Sequence, residues 1–215
     1  KEKTDEVVKE FGDGLKGKIH THKCDVTSLE SIKETFKWIE ECFDTISILV
    51  NNAGCSFNVK VLDTSDEATE KLEKVIDTNF RGLVHMTREA VRLINKSGDY
   101  GMIINMSSIL GHKIPFVKVP VNLYPPTKHA VTAFSEILRQ ELVVAANDKI
   151  RVTNLSPGHV FTDIAVFAGY TKSAEAFYKK LPHIQPEDIA QSVVYLLSTP
   201  PNVNVTELTI AAVEG

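Results

Sequence analysis

Short apolar runs alternate along this chain with longer segments in which apolar residues recur every three or four positions. The short runs are typical of buried strands in a parallel sheet, and the longer segments are typical of amphipathic helices. Their alternation predicts an α/β fold, a doubly wound parallel sheet in one domain over residues 1–215. The predicted strands are IHTHKCDV at 19–26, ISILV at 46–50, GMIINMS at 101–107, IRVTNLS at 150–156 and VTELTI at 205–210.

The predicted helices lie between these strands. Residues 1–11 resemble the end of a helix that Gly12, Gly14 and Gly17 close, and Thr27–Glu30 supplies the start of the next helix. A long helix is expected from about Ala68 to Asn95, another from near Tyr124, and one after Pro186. An aromatic-rich loop is expected over about 159–185.

Composition and charge exclude several classes of partner. The 215 residues carry a formal net charge of -4 with both signs interspersed, so we expect neither nucleic acid nor an anionic membrane as a partner. Cys24, Cys42 and Cys55 show no disulfide or zinc spacing, and we expect buried or idle thiols and no metal site. With no signal peptide or membrane-spanning run, the sequence predicts a cytoplasmic protein.

Polar or glycine residues follow four of the predicted strands. In an open parallel sheet, ligands bind beyond the carboxyl ends of the strands, so these residues are candidates for a common site. Ordinary turns of Asn, Gly, Ser and Pro are the alternative. The segments concerned are Asp25–Val26, Asn51–Gly54, Ser107–Ser108 and Ser156–Gly158.

The stretch LYPPTKHAV at 123–131 places a phenol and an ammonium together. Proline is tolerated in a first helical turn and is costly deeper in a helix, so a helix should begin here. Tyr124 and Lys128 would then lie one turn apart on the same face.

NNAG at 51–54, Asn79, Ser108, the YxxxK of Tyr124 and Lys128, and Pro157–Gly158 with Thr162 resemble the short-chain dehydrogenases/reductases in order and spacing. The resemblance covers essentially the whole chain and implies a Rossmann-type domain. YPPTKHAVTAFSEILRQEL, LSPGHVFTD and VTELTI are more narrowly similar to the insect farnesol dehydrogenase-like group and to the member-11 dehydrogenases/reductases.

A hydride transfer leaves a proton on the substrate oxygen, so an acid/base group must stand beside the cofactor. A free phenol has a pKa of about 10, and a nearby cation favours its phenolate, so Lys128 is expected to lower the pKa of Tyr124. The resemblance assigns the substrate hydrogen bond to Ser108, with Ser107 as the rival, and a water relay to Asn79. The resemblance also implies that Lys128 binds the nicotinamide ribose.

The resemblance implies further contacts and partners. NADP(H) is the expected cofactor, with NAD(H) as the alternative, and a homo-oligomer, either a dimer or a tetramer, is expected. The expected substrate is a small lipophilic alcohol or ketone such as farnesol, or else a steroid or another carbonyl compound. The cofactor contacts would be Asp25, Val26, Asn51, Ala53, Gly54, Tyr124, Lys128, Pro157, Gly158, Val160 and Thr162.

The loop at 159–185 carries enough apolar area to cover such a substrate. A lid that closes over the substrate is one interpretation, and ordinary packing under a long loop is the other. The side chains concerned are Phe161, Ile164, Val166, Phe167, Tyr170, Phe177 and Tyr178.

The family's opening strand, its TGxxxGxG turn and its first helix have no counterpart here, and Gly12, Gly14 and Gly17 follow a helix instead. In the family's strand order 3-2-1-4-5-6-7, this leaves a gap of roughly 10 Å beside the IHTHKC strand. We therefore expect a fragment of a protein of about 250 residues. A catalytically inactive remnant or an interaction protein of this fold is the alternative function, favoured by the absent turn and by Pro125–Pro126.

Overall fold

The computed structural model describes residues 16–117, 119–179 and 181–214. Its elements follow one another in an α/β order, and two short helices lie in the segment that was expected to be a loop. In chain order the elements are α1 (Leu29–Phe43), β1 (Ile48–Asn51), α2 (Asp66–Ile76), a π-helical turn (Asp77–Gly82), α3 (Leu83–Ser97), β2 (Gly101–Met106), a 3-10 turn (Ile109–Gly111), α4 (Tyr124–Val144), β3 (Ile150–Pro157), α5 (Ile164–Phe167), α6 (Ala174–Tyr178), α7 (Pro186–Ser198) and β4 (Glu207–Ile210).

The four strands form one parallel sheet in the order β1-β2-β3-β4. Asn51 pairs with Asn105, and Asn105 pairs with Asn154, so the carboxyl ends of the first three strands lie side by side. This register brings the residues that follow the strands to one edge of the sheet. The predicted α/β class is confirmed.

Apolar side chains cover both faces of the sheet. Alternate residues of a strand point to opposite faces, and Ile103 and Met102 accordingly belong to different clusters. One cluster packs Ile103 against α1 and α3, and the other packs Met102 against α7. Helices on both faces are the doubly wound arrangement that the sequence predicted.

Local sequence signals set the helix boundaries. The Ser28 hydroxyl accepts a hydrogen bond from the Ser31 amide and begins α1, as the Thr27–Glu30 pattern predicted. The predicted long helix is present over Asp66–Ser97, but six residues of it form a π-helical turn. Such turns inside α-helices are frequent at functional sites, and this one contains Asn79.

The predicted strand at 19–26 is wrong, because the structure has no strand there. A strand needs a neighbour for its amide and carbonyl groups, and no described residue pairs with this segment through a β-ladder. Its side chains pack against α1 instead: the His22 ring stacks on Trp38 with 4.5 Å between ring centroids. The residues of this segment predicted a strand, but they did not show whether a neighbouring strand would pair with it.

The prediction that ISILV is a buried strand holds for one face of β1 only. Ile48 is 46% exposed and Val50 is 39% exposed, whereas Leu49 and Asn51 between them are buried. In the described part of the chain β1 lies at an edge of the sheet, and helices cover only the face that Leu49 points to.

The predicted helix at 1–11 and the closing residues Gly12 and Gly14 lie outside the described residues. None of the helices that the structure describes combines the length and the apolarity that crossing a bilayer requires. Cys24, Cys42 and Cys55 are free thiols.

Candidate active site

Helix α4 begins at Tyr124, so Pro125 and Pro126 occupy its first turn, as predicted. Neither proline has an amide N–H, and the first N–H groups of a helix have no partner within it. The Tyr124 amide donates to the Val121 carbonyl over 3.2 Å, and the Thr127 amide donates to the Leu123 carbonyl over 3.0 Å. The prolines therefore remove two donors that the turn would otherwise have to satisfy.

Lys128 lies one turn beyond Tyr124, and it is buried, with 4% of its surface exposed. Its ammonium nitrogen is 5.5 Å from the centroid of the Tyr124 ring and donates to the Met106 carbonyl over 2.7 Å. Burial lowers the pKa of Lys128 to about 8. Among the described residues the ammonium has this one hydrogen-bond acceptor, so two of its three N–H groups are free for a ligand.

Tyr124 is partly buried, and its phenol lies beside Ser108. Removal of water from the phenol raises the pKa of Tyr124 to about 12, and the neighbouring Ser108 side chain opposes this rise. The expectation that Lys128 lowers the pKa of Tyr124 is wrong for this arrangement, because the loss of water around the phenol disfavours the phenolate. The site therefore holds a protonated phenol at neutral pH.

The two adjacent serines face different partners. The Ser108 side chain lies beside the Tyr124 phenol, and its hydroxyl accepts from the Leu110 amide over 3.1 Å. Ser107 donates instead to the Lys128 carbonyl over 3.1 Å. A β-carbon at Gly111 would lie 2.6 Å from the Ser107 hydroxyl oxygen, so glycine allows the 3-10 turn to pack this closely against α4.

Asn79 ties the π-helical turn to the loop after β1. Its amide oxygen accepts from the Cys55 amide over 2.8 Å, and its amide nitrogen donates to the Cys55 carbonyl over 2.9 Å and to the Thr127 hydroxyl over 3.2 Å. The Thr127 hydroxyl donates to the Tyr124 carbonyl over 2.8 Å. We call Asn79, Ser108, Tyr124 and Lys128 the Tyr124 cluster. The predicted water relay through Asn79 stays a prediction.

Asn51 belongs to a different group of buried side chains. Its amide nitrogen donates to the Thr87 hydroxyl and to the Asn105 amide oxygen, both over 2.8 Å. Asn105 in turn donates to the Ser135 hydroxyl over 2.9 Å. We call these four residues the amide network. Since the Asn51 amide nitrogen is fully used within the protein, a cofactor contact by this residue stays a prediction.

Three of the predicted cofactor contacts line one open cleft of about 720 Å³: Asp25, Val26 and Ala53. The Asp25 carboxylate accepts hydrogen bonds from the Thr27 amide and hydroxyl, and these bonds lower its pKa. Tyr124 and Lys128 do not line this cleft. Gly54, which follows Ala53 of this cleft, lies close to Lys128 of the Tyr124 cluster, because a β-carbon at Gly54 would be 3.7 Å from the Lys128 ammonium nitrogen.

The remaining predicted cofactor contacts lie at the carboxyl end of β3, which ends at Pro157. The Gly158 amide donates to the Ile210 carbonyl over 2.7 Å, and Val160 forms a parallel bridge with Ile184. The Thr162 hydroxyl lies 3.4 Å from the Val160 carbonyl. The structure thus joins this segment to β4 and to the residues that precede α7.

The segment at 159–185 contains a cluster of aromatic rings. Tyr178, which is 3% exposed, packs with Phe161 at 5.3 Å and with Phe177 at 5.0 Å between ring centroids. It also lies close enough to Tyr124 to contribute to the raised pKa of that phenol. Phe167, by contrast, is 73% exposed. Closure of this segment over a substrate stays a prediction.

The sequence did not predict the contacts that three residues make with the Tyr124 cluster or its supports. Thr127 stands inside the YPPTK pattern, and its position one turn from Leu123 carried no separate signal. Asn122 had a usable signal, because asparagine just before a helix start is a common cap. Tyr170 was expected only as a side chain that could cover a substrate, and nothing indicated its hydrogen bonds, because its partners lie 50 and 113 residues away along the chain.

Comparison with known proteins gives a consistent result. The family model described as short chain dehydrogenase matches residues 1–172. Farnesol dehydrogenase of Aedes aegypti is 39% identical over 201 residues, which are 94% of this chain and 78% of that protein. Dehydrogenase/reductase SDR family member 11 of Mus musculus is 36% identical over 205 residues, covering 94% of this chain and 76% of that protein.

A solved structure extends the likeness to three dimensions. The closed form of a serine dehydrogenase complexed with NADP+ superposes with a TM-score of 0.82 at 32% sequence identity. The match covers 98% of this chain and 82% of that one. This chain therefore belongs to the short-chain dehydrogenase/reductase family of oxidoreductases.

Proposed function

We propose that this protein uses NADP(H) to interconvert a lipophilic alcohol, such as farnesol, and the corresponding carbonyl compound. The observation that carries the proposal is the position of the buried Lys128 ammonium, one helical turn from Tyr124 and 5.5 Å from the centroid of its ring, with the Ser108 side chain beside the same phenol. An acid/base group, a hydrogen-bond donor for the substrate oxygen and a cation are thus within one buried cluster.

Each residue of the Tyr124 cluster has a role in this proposal. The nicotinamide supplies or accepts the hydride. Tyr124 donates a proton to the carbonyl oxygen, because a phenol with a pKa of about 12 is protonated at neutral pH. Ser108 orients that oxygen by a second hydrogen bond, and the two free N–H groups of Lys128 suit the hydroxyl groups of a ribose.

Asn79 acts through the loop after β1, because both polar atoms of its side chain bond to the Cys55 backbone. The choice of substrate and cofactor rests on the relatives: one is a farnesol dehydrogenase, and one was solved with NADP+. The apolar side chains of segment 159–185 would cover the substrate. A single domain, a homo-oligomer and a cytoplasmic location complete the proposal.

Replacing Tyr124 with phenylalanine tests this proposal. Tyr124→Phe keeps the ring and removes the hydroxyl, which gives a proton to the carbonyl oxygen in reduction and takes one from the alcohol in oxidation, so we expect kcat/KM for farnesol with NADP+ to fall by about 10²- to 10⁴-fold. The measurement is NADPH absorbance in the intact protein, repeated with NAD+ and with a steroid ketone and NADPH. Tyr100→Phe is the control, because Tyr100 precedes β2 at the opposite end of the sheet and is exposed. Equal turnover by Tyr124→Phe and the parent would show that the proposal is wrong.

A further inference from the structure

Asn122 lies two residues before Tyr124 and has an unusual backbone conformation. Its φ angle is 42°, in the left-handed region that asparagine tolerates better than most residues. The residue at the helix cap, Leu123, has no polar side chain that could accept a hydrogen bond. The Asn122 amide oxygen replaces it, accepting from the Leu123 amide over 2.6 Å and from the Tyr124 amide over 3.2 Å.

The other end of the same side chain contacts the loop after β1. The Asn122 amide nitrogen donates to the Phe57 carbonyl oxygen over 2.5 Å. Asn122 therefore joins the backbone of Tyr124 to the segment that follows NNAG, through both polar atoms of one side chain. Few side chains other than asparagine and glutamine can accept and donate in this way.

Tyr170, which follows α5, reaches the same carbonyl oxygen from a third segment. Its hydroxyl lies 3.1 Å from the Phe57 carbonyl oxygen and 2.8 Å from the Pro120 carbonyl oxygen. The Ser56 hydroxyl is 3.3 Å away. Burial raises the pKa of Tyr170, so its hydroxyl keeps the proton that it donates.

We propose that Asn122 and Tyr170 are positioning residues for Tyr124, because their side chains meet at the Phe57 carbonyl oxygen and fix the start of α4 against two flanking loops. Tyr170 has one proton, which it shares between the Pro120 carbonyl oxygen at 2.8 Å and the Phe57 carbonyl oxygen at 3.1 Å. The second lone pair of the Phe57 oxygen accepts from the Asn122 amide. Tyr170 also holds Pro120, two residues before Asn122, and so restrains the segment that leads into the helix. The effect on catalysis rests on the proposed function, whereas the effect on α4 does not.

Amide hydrogen exchange in the intact protein tests the restraint without reference to catalysis. In Tyr170→Phe, we expect the amides of Leu123 and Tyr124 to exchange about fivefold faster, because a net hydrogen bond contributes about 1 kcal/mol. Tyr100→Phe is the matched control and should leave these two amides unchanged. Unchanged exchange at Leu123 and Tyr124 in Tyr170→Phe would overturn the proposal.

Two substitutions of Asn122 separate the cap from the link to Phe57. Asn122→Gly tolerates the positive φ and loses both functions. Asn122→Asp keeps an oxygen that caps the helix but has no N–H group to donate to Phe57. We expect both variants to lower kcat for farnesol about tenfold and to leave the affinity for NADPH, measured by its fluorescence, within about twofold. Full kcat in Asn122→Asp would show that only the cap matters and would overturn the link.

The two readouts distinguish failure of this proposal from failure of the proposed function. If the parent protein does not turn over farnesol and exchange still increases in Tyr170→Phe, the restraint stands and the proposed function is wrong. If the Leu123 and Tyr124 amides exchange faster in Tyr170→Phe and its kcat for farnesol equals that of the parent, the positioning role is overturned. The positioning role is also overturned if the parent is active and Tyr170→Phe equals it in both amide exchange and kcat.

Discussion

Two groups of buried polar side chains lie at the carboxyl ends of neighbouring strands, and they differ in how far their polar atoms are satisfied. In the amide network, the amide nitrogen of Asn51 and that of Asn105 both find neutral partners within the protein. In the Tyr124 cluster, Lys128 is a buried cation with one carbonyl acceptor among the described residues.

The degree to which polar atoms are satisfied distinguishes buried groups that are structural from buried groups that are available to a ligand. A satisfied neutral network stabilises the fold, and its loss leaves unpaired groups in the core. A buried charge with a single neutral partner lowers stability, and the shifted pKa of Lys128 records this cost. Substitutions in the two groups should therefore change stability in opposite directions.

The largest effect is expected in the Tyr124 cluster. Lys128→Met keeps the length and apolar body of the side chain and removes the charge. We expect kcat/KM for farnesol with NADP+ to fall about 10²-fold or more, because no ammonium remains beside the phenol or for the proposed contact with the ribose. Lys33→Met, on the exposed side of α1, is the control and should keep parental turnover.

The same variant should gain stability at neutral pH. The folded-state pKa of Lys128, about 8, lies below its ordinary value of 10.5, so the cost of burying the charge is fully present below pH 8 and fades as pH rises to 10.5. A pKa shift corresponds to about 1.4 kcal/mol per unit, and the lost hydrogen bond to Met106 reduces the gain. We therefore expect Lys128→Met to raise the free energy of unfolding by about 1–2 kcal/mol at pH 7. Urea unfolding at pH 7 and pH 10 measures it, and a Lys128→Met variant less stable than the parent at pH 7 would contradict the comparison.

The amide network should respond in the opposite sense. Asn105→Ala leaves an N–H group of Asn51 and the hydroxyl of Ser135 without their partner in a fully buried position, so we expect stability to fall by about 2–4 kcal/mol. Turnover per folded molecule should stay within about threefold of the parent. Urea unfolding measures the change in stability. Titration with NADPH gives the concentration of folded protein by which the turnover is divided. Asn202→Ala, in an exposed turn, is the control, and a stable but inactive Asn105→Ala variant would show that the network belongs to the active site.

The sequence predicted the parts of this fold that local chemistry determines. Ser28 begins α1 because its hydroxyl caps the helix, and the prolines after Tyr124 begin α4 because they fit only a first turn. The alternating strands and helices also predicted the parallel sheet. These features depend on residues within a few positions of one another, so one sequence is enough to find them.

What the sequence did not predict depends on neighbours that are distant along the chain. Segment 19–26 has the residues of a strand but no described partner strand, and apolar character alone does not supply one. Asn51 and Ser108 both lie near the carboxyl end of a strand, yet only three-dimensional contacts show that Asn51 bonds to Thr87 and Asn105 while Ser108 lies beside Tyr124. The pKa of Tyr124 was predicted in the wrong direction because spacing shows the cation and not the burial.

The smallest effect is expected at the paired prolines, and it tests whether they impair the Tyr124 cluster. Pro126 is exposed in the first turn of α4, where an alanine fits equally well. We expect Pro126→Ala to change kcat less than about twofold and to lower stability by about 0.5–1 kcal/mol, because proline restricts the unfolded chain. Steady-state kinetics and urea unfolding measure both quantities. A large gain in turnover would instead mean that the prolines hold Tyr124 away from its substrate, and would favour an enzyme whose catalytic cluster is impaired.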